Sequence, residues 1–501
     1  MHSGGGLKII LLSVDASDEA AAKDAGADFI SVLPERTVKK SAKLQLFYAP
    51  IIGVLRGKYI LCPILSGYQN GDKMKLSRKR LPVLLFLLAL TALSCRFTAS
   101  QPEPQSVPVT TASPAPEAGF APQIKQVGNP NVSYANVEFT ADMQYMVWFE
   151  MTDKRGNGVV WHCGVNPETG ELVPSDGKGF RAFESTVLGR ANPGMDAEGA
   201  YYVGMDRDGK MLLVRPSGPT SGTVRELSTP PDVTRRAIYP TVLPGQNAGY
   251  VFWIKNEKAP GGGTNPANAW VELQYISLAD PAQVRVVERQ DRPRRGFAPM
   301  DAAFARWMKG SPVLTYGFKD DNGITQVREF DPIQPNPAPQ AVTNDAGDKV
   351  DPYSWLQDGR EILISGMDAE ARTHVYIRNP GETWFTLAET ILPPASALSH
   401  PALAQSNEPI VLNGKTYTVY QINEAGTSFW DVAFGNPGEI WLSTLFQSPQ
   451  QQWLLTDSLT AKAEPEPFIG SSKVWVFYNV IEGDSPVTAV WHLYRAETPI
   501  S

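Results

Sequence analysis

The fifteen residues Asp351-Pro-Tyr-Ser-Trp-Leu-Gln-Asp-Gly-Arg-Glu-Ile-Leu-Ile-Ser365 constrain the fold more than any other stretch of the chain. They read as a strand from Tyr353 to Leu356, a tight turn at Gln357-Asp358-Gly359, and a half-buried strand from Glu361 to Ser365. Weaker copies included, this unit can be traced about seven times beyond residue 122, which marks a repeat architecture. A residue followed by proline marks the unit entrances: Asn192-Pro193, Tyr239-Pro240, Ala298-Pro299, Asp351-Pro352, His400-Pro401 and Glu464-Pro465, with Ala135-Asn136 in the first unit. Proline is expected just ahead of a first strand, because the first residue of a strand can forgo a ladder donor.

Second strands follow in each unit, among them Tyr145-Met-Val-Trp-Phe-Glu150, Tyr250-Val-Phe-Trp-Ile254 and Lys473-Val-Trp-Val-Phe-Tyr478. Hairpin turns such as Asp206-Arg-Asp-Gly209 and Asp320-Asp-Asn-Gly323 lead to third strands such as Val159-Val-Trp-His162 and Ala489-Val-Trp-His-Leu-Tyr494. Entrances lie 47 to 64 residues apart, the spacing of four short strands with loops of varying length. Radial closure removes the open edges of such units. The expected fold is therefore all-β: a β-propeller over residues 122–501, read as seven four-stranded blades, with six or eight as alternatives. The last unit shows only three clear strands before Ser501, so Gln123-Ile-Lys-Gln-Val127 is expected to supply its fourth and close the ring.

The Asp351–Ser365 stretch resembles the TolB-like and WD-repeat-like propeller repeats of bacterial exported proteins, in which Asp-Pro-x-Trp-Ser-Pro-Asp-Gly-x-x-Ile recurs. Here Leu356-Gln357 replaces the Ser-Pro pair, and Phe139-Thr-Ala-Asp142 is a weaker match in the first unit. The resemblance implies a propeller and a binding role at a cell envelope; a fold by itself does not fix function.

Ahead of the body, residues 1–73 form an irregular leader. Residues 8–31 read as a buried strand, a short alanine-rich helix and a second strand. That order resembles the last third of a response-regulator receiver domain, with Ser13 at the switch position and Ala25-Gly-Ala-Asp28 before the last strand. The phosphoacceptor aspartate and the acidic pocket are missing, so no phosphorylation is inferred. Met74-Lys-Leu-Ser-Arg-Lys-Arg80 is then a basic n-region, Leu81 to Leu93 an apolar core too short for a stable span, and Ala92-Leu93-Ser94-Cys95 a small-residue exit. This segment, residues 74–95, resembles a bacterial lipoprotein signal, which implies lipidation of Cys95; ordinary cleavage after Ser94, giving a secreted protein, is the alternative. A signal beginning at residue 74 points to Met74 as the expected start, with residues 1–73 read as mis-called upstream sequence, a fusion remnant or a degenerate receiver fragment. Residues 96–121, rich in Pro, Ser and Thr, read as a tether. The expected location is a bacterial cell envelope, with the membrane touched only through a lipid anchor.

Charge narrows the partners. The first 80 residues hold 13 of the 45 Lys and Arg and 7 of the 52 Asp and Glu, which leaves the rest acidic by 13. An acidic body argues against nucleic acid. Of three cysteines only Cys163 belongs to the body, so no disulfide framework exists there.

Entrance loops and second-to-third-strand hairpins share one face of a propeller, so charges in them converge on the channel mouth. Arg190, Arg235, Arg236, Arg292, Arg294 and Arg295 come from the second to fourth entrances, and Asp348, Asp351, His400, Glu464 and Glu466 from the fifth to seventh. Guanidinium forks suit carboxylate, sulfate or phosphate groups. The candidate ligand-binding set is Arg190, Arg235, Arg236, Arg294, Arg295, Asp301, Asp351 and His400, set against the plainer reading of solvated loop charges.

An arginine cluster on a propeller also resembles the sialidases, whose Ser-x-Asp-x-Gly-x-Thr-Trp turn survives only as the Gly-x-Thr-Trp of Gly381-Glu-Thr-Trp384. That likeness implies a glycoside hydrolase for an anionic glycan, with Asp301 and Asp351 as opposed carboxylates. The acidic hairpin turns lack the downstream ligand of an EF-hand and read as turn chemistry. No nucleophile elbow, phosphate loop or zinc-protease motif appears. The reading that results is a monomeric binding module for a protein, peptide or glycan, without cofactor or metal, with the hydrolase as its alternative.

Overall fold

Strands form where the β-branched and aromatic runs stand, and their burial shows how the sheets stack. The computed structural model describes residues 48–55, 58–65 and, from 120 onward, all but 154–155, 187–190, 248, 257–269, 292–305, 308–310, 321, 323, 348, 367–372, 392–397, 399–400, 425–436, 459 and 484–488. Two compact units divide the chain, Met1–Val109 and Thr110–Ser501. Among the described residues, the first contains an antiparallel hairpin, Tyr48–Leu55 with Lys58–Leu65. The receiver-like segment, the signal, Cys95 and most of the tether lie outside the described residues. No helix among the described residues is long and apolar enough to cross a membrane.

The second unit is all-β, a propeller, with seven successive antiparallel sheets among its described residues. Blade one runs Tyr134–Phe139, Tyr145–Met151, Asn157–Val165 and Leu172–Val173, with Phe180–Thr186 also paired to the third of these. Blade two is Asn192–Asp196, Gly199–Met205, Met211–Gly218 and Ser221–Glu226, and blade three Arg235–Pro240, Tyr250–Asn256, Trp270–Ser277 and Asp280–Asp291. Blade four is Arg306–Trp307, Leu314–Lys319, Thr325–Phe330 and Gln340–Ala341. Blade five is Val350–Gln357, Arg360–Gly366, Thr373–Arg378 and Thr386–Ile391, and blade six Pro401–Leu412, Lys415–Glu424, Gly438–Leu445 and Gln452–Leu454. Blade seven takes Lys462–Ile469, Val474–Glu482 and Val490–Glu497, and its fourth strand, Ile124–Gln126, comes from the other end of the unit. That pairing closes the ring as the sequence implied.

First strands are innermost. Those of blades one and two, two and three, four and five, five and six, six and seven, and seven and one touch each other. Between blades three and four the join is an apolar cluster of Tyr239, Phe252, Leu314, Tyr316 and Phe330. Each blade is sandwiched between two others, so its second strand is buried on both faces and loses the polar/apolar alternation of a half-buried strand. Val474–Glu482 shows this: Val474, Val476 and Tyr478 pack with blade six, while Trp475 and Phe477 pack with blade one. Outer strands are wetter, and Ser221–Glu226 has mostly exposed side chains.

The diagnostic stretch folds as read, with the first strand longer than expected and the reversal made by Asp358 (φ 51°) and Gly359 (φ 74°). Two successive positive φ angles match the twist of the paired strands, which is why an Asp-Gly pair stands there. Proline placement departs from expectation. Pro401 opens its strand, but Pro240 closes one and Pro352 and Pro465 lie inside first strands, at bulges. A bulge leaves one residue out of the ladder, so a missing N–H does no harm there either.

Candidate functional site

The innermost strands are irregular in the same way in five blades. Two residues oppose one across the pair: Asn136 and Val137 face Trp148, Ala237 and Ile238 face Trp253, Asp351 and Pro352 face Ser365, Ser406 and Asn407 face Tyr420, and Glu464 and Pro465 face Tyr478. The opposing aromatics Trp148, Trp253, Tyr420 and Tyr478 are all fully buried. In four of these bulges the first residue is left-handed, with φ of 54° at Asn136, 50° at Ala237, 52° at Ser406 and 53° at Glu464. Such a conformation costs an ordinary residue about 1–2 kcal/mol, so its repetition marks a feature that packing against the next strand enforces. Asn136, Asp351, Ser406 and Glu464 thereby occupy the same place in four blades, the first residue of the inner-strand bulge, and all four are polar residue types.

A second device stands two residues earlier. Arg235, Lys349 and Lys462 each occupy that place and are buried. Arg235 donates from Nη2 to the Pro230 carbonyl at 2.7 Å and from Nη1 to the Gly209 carbonyl at 3.4 Å, and lies 4.8 Å over the Trp253 ring. Lys349 donates to the Gly347 carbonyl at 2.6 Å and pairs with Asp345. Lys462 donates to the carbonyls of Gly438 at 3.0 Å and Thr460 at 3.1 Å, to the Thr460 hydroxyl, and to Ser458 O. Blade one has Tyr134 in this place, donating to the Asp176 carbonyl at 2.6 Å. Each side chain ties down carbonyls of the loops beside it. Burial pulls Arg235 down to about 10 and Lys462 down to about 8.

Of the residues expected at the mouth, Arg190, Arg292, Arg294, Arg295, Asp301, Asp348 and His400 lie outside the described residues. Arg235 is there, but its fork is held by backbone carbonyls and an indole face. Arg236 is half-buried and immediately precedes the Ala237 bulge. Asp351 is the first residue of its bulge, and its side chain lies outside the described residues. Glu464 is brought to a partner: its Oε2 accepts the backbone N–H of Asn136 at 2.8 Å, from blade seven to blade one.

Two buried amides were missed from sequence. Gln421 donates from Nε2 to the Lys462 carbonyl at 2.7 Å, across the blade six–seven interface. Asn479 stands at the corresponding place in blade seven, as register partner of the residue before the bulge, fully buried with both amide atoms unpartnered. For Asn479 the signal was a polar residue inside the apolar run Val474–Ile481, whereas the strand of Gln421 also carries Thr416, Thr418 and Asn423 and gives no such signal.

Other titratable groups serve local structure. Asp206 Oδ1 accepts N–H groups of Asp208 and Lys210, both at 2.9 Å, and Asp320 Oδ1 those of Asn322 at 2.8 Å and Ile324 at 3.0 Å, so both carboxylates cap their own hairpins. No group of three or more His, Cys, Asp or Glu among the described residues is placed to hold a metal ion. His162 is buried between blades one and two, 2.8 Å from the Tyr202 hydroxyl and 3.1 Å from the Gly218 and Ser221 carbonyls, and burial lowers its pKa. Cys163 is fully buried, and burial pushes its thiol well up.

No protein-family model matches the chain, and no curated protein does. Solved structures do. A Trypanosoma rangeli sialidase mutant with trans-sialidase activity is 9% identical, with 74% of this chain and 57% of that one covered and a TM-score of 0.35. The WD40 domain of SCAP from fission yeast is 10% identical over 75% of this chain and 94% of that one, with a TM-score of 0.35. The catalytic domain of a Coprinopsis cinerea GH62 α-L-arabinofuranosidase is 12% identical over 55% and 95%, with a TM-score of 0.30. The chain thus spans little more than half of the sialidase. At these identities and scores, the fold rests on the sheet topology itself.

Proposed function

We propose that this chain is an exported, surface-tethered binding module that takes a protein, peptide or glycan across the channel mouth of its propeller. The repeated inner-strand bulge carries this reading. It repeats a polar residue type at one inner-strand position in four blades, at Asn136, Asp351, Ser406 and Glu464, with Arg236 immediately before the bulge of a fifth. A rigid ring of that kind positions hydrogen-bonding groups for recognition, and its neighbouring arginines suit an anionic group on the ligand. The export part rests on the basic run Met74 to Arg80, the apolar core to Leu93, and Cys95.

The test is a screen of the chain on glycan and peptide arrays, alongside fluorogenic glycosides. Capture without turnover, weakened by Arg236→Ala and by Arg294→Ala with Arg295→Ala, supports the reading. Glycoside turnover abolished by Asp351→Asn overturns it in favour of a hydrolase. Labelling with radioactive palmitate, with Cys95→Ser as control, tests the anchor; equal label in both proteins contradicts it.

A further inference from the structure

Blade five carries a second concavity, at the other end of its strands. The Asp358-Gly359 turn and the Asn379-Pro380-Gly381-Glu382 hairpin lie at the end opposite the Val350 entrance, hence on the face opposite the mouth. Between them is a groove of about 350 Å³, lined by Leu356, Glu361, Arg378, Asn379, Pro380 and Glu382. That volume is at the small end of ligand pockets and suits one or two rings better than a long chain.

The polar groups of the groove are fixed and only partly satisfied. Arg378 uses one nitrogen, Nη2, for both oxygens of Glu329 at 2.7 Å and for Oε2 of Glu361, and its guanidinium lies 4.7 Å over the Phe385 ring. Its Nε and Nη1 have no hydrogen bond among the described residues and are not sealed from solvent. Glu382 accepts the backbone and side-chain N–H groups of Asn379 through Oε2, at 3.0 and 3.1 Å, leaving Oε1 open; Oε1 of Glu361 is open too. The available set is thus two donors from a held guanidinium and two carboxylate acceptors, side by side. Of the ten exposed large apolar side chains among the described residues, three belong to this blade: Leu356, Trp384 and Leu387, with Trp384 41% exposed on the same hairpin as Glu382.

We propose that this groove is a second ligand site and that it takes a neutral sugar. Adjacent hydroxyls donate and accept within one short span, which matches paired guanidinium N–H and carboxylate oxygens, and the exposed Leu356 side chain in the lining offers an apolar surface for the C–H side of a ring. Anionic sugars fit poorly, because Glu329, Glu361 and Glu382 outnumber Arg378. A lone cation fits poorly as well, since it would meet the guanidinium and leave its open N–H groups unpaired.

The experiment is ligand-observed NMR on the full chain with methyl glycosides of glucose, galactose, mannose and xylose, and with glucuronate and a lysine-rich peptide as charged probes. Saturable binding of at least one neutral glycoside is expected, weakened about tenfold or more, or 1.4 kcal/mol, by Leu356→Ala and by Glu382→Ala. Both residues are exposed, so both variants are expected to keep the wild-type urea midpoint. Arg236→Ala, on the opposite face, leaves this binding unchanged. The proposal is overturned if no neutral glycoside binds, if glucuronate or the peptide binds more tightly, or if binding survives both groove variants or falls with Arg236→Ala.

Discussion

Glu464 and Asn136 are 328 residues apart in sequence and in contact in the ring, the carboxylate of one accepting the backbone N–H of the other at 2.8 Å. Each is the left-handed first residue of an inner-strand bulge, so the last blade and the first meet through matching irregularities. Glu464→Ala leaves that N–H without this acceptor at the seam, which is expected to lower stability by about 1–3 kcal/mol. The urea midpoint should fall with an unchanged slope, and Glu464→Gln should recover part of the loss. An unaltered midpoint in Glu464→Ala would show that the seam does not depend on this bond.

The bulge conformation itself is testable at Ala237, whose φ is 50° and whose methyl makes no hydrogen bond. Relief of the left-handed penalty outweighs the entropy that glycine adds to the unfolded chain, so Ala237→Gly should stabilise by about 0.5–1 kcal/mol. Ala237→Val should destabilise. Chemical denaturation of the pair checks both directions at once.

Lys462 gives the protein a dependence on alkaline pH. Burial brings its pKa to about 8 from an ordinary 10.5, so between these values the unfolded chain holds the proton more tightly than the folded one. Stability therefore rises from about pH 8 toward pH 10, and below pH 8 the penalty of burying the charge is constant. The buried tyrosines act oppositely: Tyr201, Tyr420 and Tyr478 are pushed well up by burial, so stability falls once the unfolded chain's tyrosines ionise near 10. Lys462→Met should abolish the rise between pH 8 and 10 in urea titrations, while costing stability at pH 7 because the Gly438, Ser458 and Thr460 carbonyls lose their donor. A rise that persists in the variant would assign it to another group.

Asn479 is the inverse case, a buried amide with neither atom satisfied, where Gln421 in the preceding blade reaches a carbonyl across the interface. Replacing it by leucine keeps the number and branching of the heavy atoms while removing two unpaired polar groups, and Asn479→Leu should stabilise by about 1–2 kcal/mol. A lower midpoint would mean that the amide contributes to the fold after all.

Much of the fold was legible because it is periodic. Short aromatic and β-branched runs, the Asp358-Gly359 turn and the strand at Ile124–Gln126 are local signals, and each took its expected place. The bulges were not legible, although Pro352 and Pro465 sit in two of them. A proline shows only that a ladder donor is absent, and strand starts and bulges satisfy that condition equally. Arg235 and Arg236 are adjacent in sequence, and nothing local says which side chain turns inward. The structure gives the first to Trp253 and two carbonyls and leaves the second half-buried at the bulge. Buried cations such as Lys462 read as surface charges because their partners are backbone carbonyls, which every sequence possesses.

The most direct test of the account is binding and turnover measured together on the wild type, Arg294→Ala with Arg295→Ala, and Asp351→Asn. The account predicts capture of an anionic glycan or peptide without turnover in the wild type, and loss of capture in the arginine variant. Hydrolysis of a glycoside by the wild type that disappears with Asp351→Asn would contradict it.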